Sequence, residues 1–183
     1  MYKNNKGITL TILVITIVIM LILAAVTMSI NINTSKTVDL KTIVANMELI
    51  KATAQGYADK YFETTNADGD DIVNSEIVLP GTKNGSSQTI VTSILNETRE
   101  EGEEIVVSDY WYMIDNNALK TMNIDLNLNG NERYFVDYKT MNVAYVKDIN
   151  PSNGKYQGLK DRNGNYLYFY DQLKNIKTDQ LGN

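Results

Sequence analysis

The chain contains neither cysteine nor histidine. Without cysteine it has no disulfide framework, no thiol nucleophile and no lipobox for lipid attachment. Without histidine it lacks the usual zinc ligands and the commonest general base. The sequence also shows no serine paired with a base, no phosphate-binding loop and no dinucleotide fingerprint. We therefore expect a protein that is not an enzyme and that needs no cofactor.

Acidic residues outnumber basic ones beyond the apolar run of residues 8–30. Lys and Arg total 17 against 22 Asp and Glu, and two of the lysines, Lys3 and Lys6, precede a long apolar run. The rest of the chain is therefore acidic and repels the phosphates of nucleic acids. We expect no nucleic-acid partner.

The apolar run covers residues 8–30 and reads ITLTILVITIVIMLILAAVTMSI, with no charge and no proline. As a helix it would extend about 34 Å, enough to cross a hydrocarbon core of about 30 Å. Because Lys3 and Lys6 lie directly before it, the positive-inside rule places the N-terminus in the cytoplasm. The pattern predicts a single-pass protein of the cytoplasmic membrane, in contact with the lipid bilayer, whose C-terminal domain lies outside.

A cleaved secretory signal is the alternative interpretation of this run. Such a signal has an apolar region of about 7–15 residues followed by a small-x-small cleavage site. The run here is longer, and Ala24 and Ala25 are adjacent, so they do not form that site. A retained membrane helix is favoured.

The stretch Lys6-Gly7-Ile8-Thr9-Leu10 resembles the processing site of type IV prepilins and type II secretion pseudopilins. The resemblance implies that prepilin peptidase cleaves between Gly7 and Ile8 and that Ile8 becomes N-methylated. Glycine suits such a cut because a protease can approach its backbone closely. The sequence departs from the family in having Ile12 where a glutamate usually stands five residues past the cut.

The resemblance implies a pilin-like structural subunit of a type IV pilus or of a type II secretion-like filament. Its partners would be prepilin peptidase, other pilin-like subunits and the assembly platform, and the mature protein could reach a surface filament. Because Ile12 replaces the usual glutamate, a membrane-anchored surface binding module or adhesin that does not polymerise is the alternative.

A second helix pattern follows the run and carries one apolar stripe with steps of three and four residues. The stripe predicts a packing face that either contacts the same domain or is shared with neighbouring subunits, as in a coiled-coil seam. Its members are Leu40, Ile43, Met47, Ile50, Ala54, Tyr57 and Tyr61.

We expect four segments: a leader peptide at 1–7, a transmembrane helix at 8–30, its extension at 31–63 and an extracytoplasmic β-rich domain at 64–183. The predicted fold class is α+β, with the long N-terminal helix packed on a small antiparallel β-sheet, as in pilins.

Within the β-rich domain, local patterns predict two hairpins, over 134–146 and over 156–170, and a short helix over 116–122. We expect a strand at 105–114, a strand or extended connection at 71–79 and a polar loop at 82–88. The segment 89–96 is ambiguous between helix and strand. The segment 97–104 is expected to be a solvated loop or helix end, with a cation or partner site as the alternative. The last dozen residues are expected to be loose.

Asp125, Asn127 and Asn129 are a weak calcium candidate, because they match the first half of a calcium-binding loop. The twelfth position of that loop is Val136, which cannot supply the expected carboxylate, so we predict no metal site. The alternation of these residues with leucines also resembles a strand. Asp68, Asp70 and Asp71 are a second metal candidate, although such a group around a glycine is more typical of a turn.

Two aromatic groups are expected to form core and cross-strand contacts, with a sugar-binding platform as the alternative. They are Tyr110, Trp111 and Tyr112, and then Tyr166, Tyr168, Phe169 and Tyr170.

Overall fold

The computed structural model describes residues 39–65, 71–99, 106–152 and 154–182. The chain divides into two compact units, Met1–Asp39 and Leu40–Asn183, and the described residues belong to the second apart from Asp39. The predictions for Lys3, Lys6, Gly7, Ile8, the run 8–30, Asp68 and Asp70 lie outside the described residues. In the part of the chain that the structure describes, no helix combines the length and apolarity of a membrane span.

The first helix, α1, is described over residues 39–61. It ends near the predicted bound at 63, where the Phe62 amide donates to the Ala58 carbonyl and the Asn74 amide donates to the Tyr61 carbonyl. Carbonyl groups in the last turn of the helix thus accept hydrogen bonds from later residues of the chain, which satisfies the helix end.

The remaining elements follow in chain order. They are β1 (Thr64–Thr65), β2 (Asp71–Ile72), α2 (Gly85–Thr98), β3 (Trp111–Ile114), α3 (Asn116–Thr121), β4 (Arg133–Asp137), β5 (Val143–Val146), β6 (Leu159–Lys160), β7 (Tyr166–Leu167), α4 (Tyr170–Asn175) and a 3-10 turn at Thr178–Gln180.

The central sheet has three antiparallel strands in the order β3-β4-β5. Single bridges extend it at both edges, from Thr82 to Met113 and from Phe169 to Ala144. The predicted hairpin over 134–146 is confirmed as β4 and β5, and the predicted short helix at 116–122 is confirmed as α3. The α+β class with a small antiparallel sheet is confirmed.

Both faces of the sheet are buried, and each lies against a helix. Alternate residues such as Tyr134 and Val136 share one core with α1, whereas Phe135 and Ala144 share a second core with Ile90 and other residues of α2. Because successive side chains of a strand point to opposite faces, β4 and β5 need apolar residues at nearly every position. This explains why their segments read as continuous apolar runs.

The predicted polar loop at 82–88 is wrong over its second half, because α2 begins at Gly85. The Asn84 side chain accepts from the Ser87 amide at 2.8 Å, and the Ser87 hydroxyl oxygen accepts from the Asn84 amide at 3.0 Å. This capping box supplies partners at the helix start. The ambiguous segment 89–96 is therefore helical.

The predicted strand at 105–114 is wrong over the described residues 106–110, since among 106–114 the strand that pairs with β4 is Trp111–Ile114. Ile105 lies outside the described residues. Within 71–79, only Asp71–Ile72 forms a strand, paired with Thr64–Thr65. The hairpin over 156–170 is confirmed in outline, but its paired strands are two residues each and Tyr170 already begins α4.

The expectation that the last dozen residues are loose is wrong. They contain most of α4 and the 3-10 turn, and Leu173 is only 1% exposed. A buried leucine holds this polar segment against the core, because removing its side chain from water outweighs the weak helix preference of its neighbours.

Candidate functional site

The candidate site is a groove between the start of α1 and the C-terminal segment. It has a volume of about 550 Å³, and α1 contributes Leu40, Val44 and Ala45 while Leu173 and Ile176 line the other side. Such a groove, open and largely apolar along its floor, suits an apolar side chain of another polypeptide segment better than a small polar ligand.

Charged side chains line the same groove. Lys41 and Glu48 come from α1, and Lys174 and Lys177 come from the C-terminal segment. All four are exposed. Three cations against one carboxylate give the groove a positive balance in an acidic protein, so its electrostatics favour an acidic segment.

Helix α4 is fixed beside the groove by its own cap and by packing. The Gln172 side-chain oxygen accepts from the Phe169 amide at 3.1 Å. The ammonium groups of Lys51 and Lys174 each lie 5.3 Å from the centre of the Tyr170 ring. The Lys51 contact ties α4 to the middle of α1, whereas the Lys174 contact lies within α4. Helix α4, which forms one wall of the groove, is therefore held both by its own cap and by α1.

The predicted stripe on α1 faces the protein's own sheet. Leu40, Met47, Ile50 and Ala54 are buried, and the remaining members, Ile43, Tyr57 and Tyr61, are partly buried against the same core. Sequence reasoning missed Ala58, which is also buried. Its position, four residues after Ala54, continues the helical period and was the signal for it.

Two polar contacts fix the register of α1 on the domain. The Asn46 side chain donates to the Tyr134 hydroxyl at 3.3 Å, near the start of β4. The Tyr57 hydroxyl donates to the Thr121 carbonyl at 2.9 Å. Burial raises the pKa of Tyr134 to about 12, with the Asn46 contact acting in the opposite direction.

The other end of α1 carries an aromatic cluster and an exposed apolar segment. The Phe62 ring centre lies 4.9 Å from those of both Tyr61 and Tyr110. Beyond the cluster, the segment 71–79 leaves three apolar side chains exposed. They are Ile72, Val73 and Val78, of which Val78 is 79% exposed.

Asp71 and Lys139 join this exposed segment to the β4–β5 turn. Their side chains form an ion pair at 3.1 Å, and the Asp71 carboxylate raises the pKa of Lys139. Asp71, predicted as a turn residue, thus lies in β2 with a cation as its partner.

Asp137 is a buried polar residue that sequence reasoning missed. It is 2% exposed, and its carboxylate accepts from the Ser108 hydroxyl at 3.0 Å, the Lys139 amide at 3.0 Å and the Thr140 hydroxyl at 2.7 Å. These donors satisfy the buried charge and shape the turn between β4 and β5. The aspartate is therefore structural.

The weak calcium candidate lies on an irregular segment. Asp125, Asn127 and Asn129 are all exposed, while Leu128 between them is buried and its amide donates to the Asn116 side chain at 2.8 Å. The alternation reflects an anchored loop, and the strand alternative is wrong. Among the described residues, no three His, Cys, Asp or Glu side chains are grouped as metal ligands.

The aromatic groups lie mainly in packing positions. Trp111 is buried against α2, and its ring centre is 6.4 Å from that of Phe169. The Tyr168 hydroxyl lies 2.6 Å from the Glu97 carboxylate and 2.7 Å from the Tyr156 carbonyl. Burial and the nearby Glu97 raise the pKa of Tyr168, so it stays neutral as a hydrogen-bond donor.

Comparison with known proteins gives no family for the chain. No protein-family model matches it, and no curated protein or solved structure is significantly similar to it.

Proposed function

We propose that the chain is a pilin-like structural subunit of a type IV pilus or of a type II secretion-like filament. The observation that carries the proposal is the order of features at its start. A basic leader ends in Gly7, the uncharged run 8–30 follows at once, and an amphipathic helix comes next. The antiparallel sheet against which that helix packs is compatible with the proposal.

The packing of α1 supports a division of tasks between the two parts of the N-terminal region. The stripe from Leu40 to Tyr61 packs within the domain, so it anchors the domain to the helix. The run 8–30 is then the segment that would pack against other subunits, exchanging lipid contacts for protein contacts. A filament subunit of this design needs no catalytic site of its own.

Shearing of surface fibres tests the proposal. The full chain is expressed in cells that contain prepilin peptidase and an assembly platform, and the sheared fraction is probed for it. We expect the chain in that fraction, and we expect Gly7→Val to keep it in the membrane, since a side chain at the cut hinders the approach of the peptidase. Asn5→Val, two residues earlier, is the matched control and should leave the chain in the fibres.

A membrane-anchored binding module is the second candidate function, and Ile12 favours it. A carboxylate in lipid is costly unless it is paired, and a protein that never assembles has no neighbour to pair with it. In this case the wild-type chain stays wholly in the membrane fraction, and Gly7→Val changes nothing in the sheared material.

A further inference from the structure

We propose that copies of this chain dock head to tail. The segment 71–79 of one copy would lie in the groove of the next, between the start of its α1 and its C-terminal segment. The inference rests on the proposed function and names the contact between the domains of neighbouring subunits. It would place Val78 in the apolar floor beside Ala45, and Glu76 near the lysines of the groove.

The two surfaces lie at opposite ends of the same domain. The groove begins at Leu40, and Asn46 next to it contacts Tyr134 at the start of β4. Val78 lies two residues before Pro80, whose carbonyl accepts from the Tyr138 hydroxyl just after the end of β4. The Asn74 amide of the segment donates to the Tyr61 carbonyl at the end of α1, about 30 Å along the helix axis from Leu40. The two surfaces therefore do not meet within one molecule.

The chemistry of the surfaces is complementary. The segment 71–79 reads DIVNSEIVL and carries two carboxylates and no cation. Its exposed apolar side chains match the apolar floor, and its Glu76 is exposed, whereas the groove is lined by Lys41, Lys174 and Lys177. Charge complementarity of this kind selects a partner and sets its orientation.

The symmetry of such a contact determines what it builds. A patch at one end that binds a different patch at the other end is a heterologous interface, which generates an open array unless its rotation closes a ring. A second copy is therefore the occupant that explains both exposed surfaces at once and that suits a filament.

Cysteine cross-linking in the full chain tests the contact, because the natural sequence contains no cysteine. Ala45→Cys and Val78→Cys are combined in one chain, and cells or sheared fibres are treated with a short bismaleimide. We expect a ladder of dimers, trimers and larger species, since each copy offers one cysteine to each neighbour. Either single variant alone should give no ladder.

The matched control replaces Val78→Cys by Val106→Cys beside the same Ala45→Cys. Val106 is 85% exposed and is therefore as accessible as Val78. The adjacent Val107, however, packs against the second core, on the face of the sheet that α2 covers. No ladder is expected from this pair. Dimers from Val78→Cys alone would reveal a symmetric contact and overturn the proposal, as would equal ladders from both pairs.

A charge exchange provides a second readout. In the Ala45→Cys, Val78→Cys background, Lys177→Glu should reduce the ladder several-fold, and Glu76→Lys added to it should restore it. Failure of the docking and failure of the proposed function remain distinguishable. Sheared fibres that contain the chain but give no ladder overturn only the docking, whereas a chain absent from the fibres overturns the proposed function.

Discussion

Ile50→Ala tests whether the stripe of α1 belongs to the core of its own domain. Ile50 is fully buried, while the adjacent Leu49 is 50% exposed on the same helix. Removing a buried isoleucine side chain costs about 3 kcal/mol of folding free energy, from lost burial and from the cavity that remains. The same truncation at Leu49 should stay within about 0.5 kcal/mol.

Urea unfolding of the full chain in detergent micelles measures this difference. Trp111 is the single tryptophan and is 3% exposed, so its fluorescence reports on the domain alone. With a slope of about 2 kcal/mol per molar urea, Ile50→Ala should lower the midpoint by about 1.5 M. Leu49→Ala should lower it by about 0.25 M at most. Equal shifts for the two variants would refute the packing of α1 on its own sheet.

The remaining predictions use the same fluorescence assay. Asp137→Ala should cost about 3 kcal/mol because it removes three part-buried hydrogen bonds, each worth about 1 kcal/mol; a loss below about 0.5 kcal/mol would contradict that role. Burial favours the neutral phenol of Tyr134 and raises its pKa from 10.0 to about 12. The contribution of this phenol to the folding free energy is therefore present below pH 10.0 and is lost as the pH rises toward about 12. Tyr134→Phe should reduce this loss of stability at high pH. An unchanged dependence of the unfolding free energy on pH would contradict the role of Tyr134. Gly158→Ala places a Cβ against the Leu167 carbonyl oxygen and should destabilise, whereas Gly56→Ala meets no atom within 4 Å and should stabilise the helix by roughly 0.5–1 kcal/mol. Equal effects at the two glycines would contradict the close approach at Gly158.

Local signals in the sequence predicted the elements that depend on local physics. The stripe that includes Met47 and Ile50 has a helical period, and the β4–β5 hairpin combines two apolar runs with a short polar turn. Each pattern is complete within its own segment, so no distant contact was needed to recognise it. The α+β class follows from these two elements alone.

The elements that sequence reasoning missed depend on distant contacts. The first part of α2 is polar, and its apolar residues, such as Ile90 and Ile94, are too few to separate helix from strand by period. They become helical because they cover the second face of the sheet at Phe135. Helix α4 is a short polar segment whose order depends on Leu173, and its sequence alone carries no sign of that burial.

The candidate groove could not be predicted for the same reason. Leu40 and Leu173 lie near opposite ends of the domain sequence, and only the fold brings them to one surface. The valine at position 78 was predicted as part of a strand or extended connection in 71–79, and the turn at residues 74–77 directs it toward solvent instead. Exposure of a large apolar side chain becomes evident only once the surrounding packing is known.

Mass spectrometry of the mature N-terminus tests the proposed function most directly. The full chain is isolated from membranes of cells that contain prepilin peptidase, and its first residue is read from N-terminal fragments. A chain that begins at Ile8 with an added methyl group is the predicted result. A chain that keeps Met1, or one that begins near residues 25–29 behind the apolar run, would contradict it.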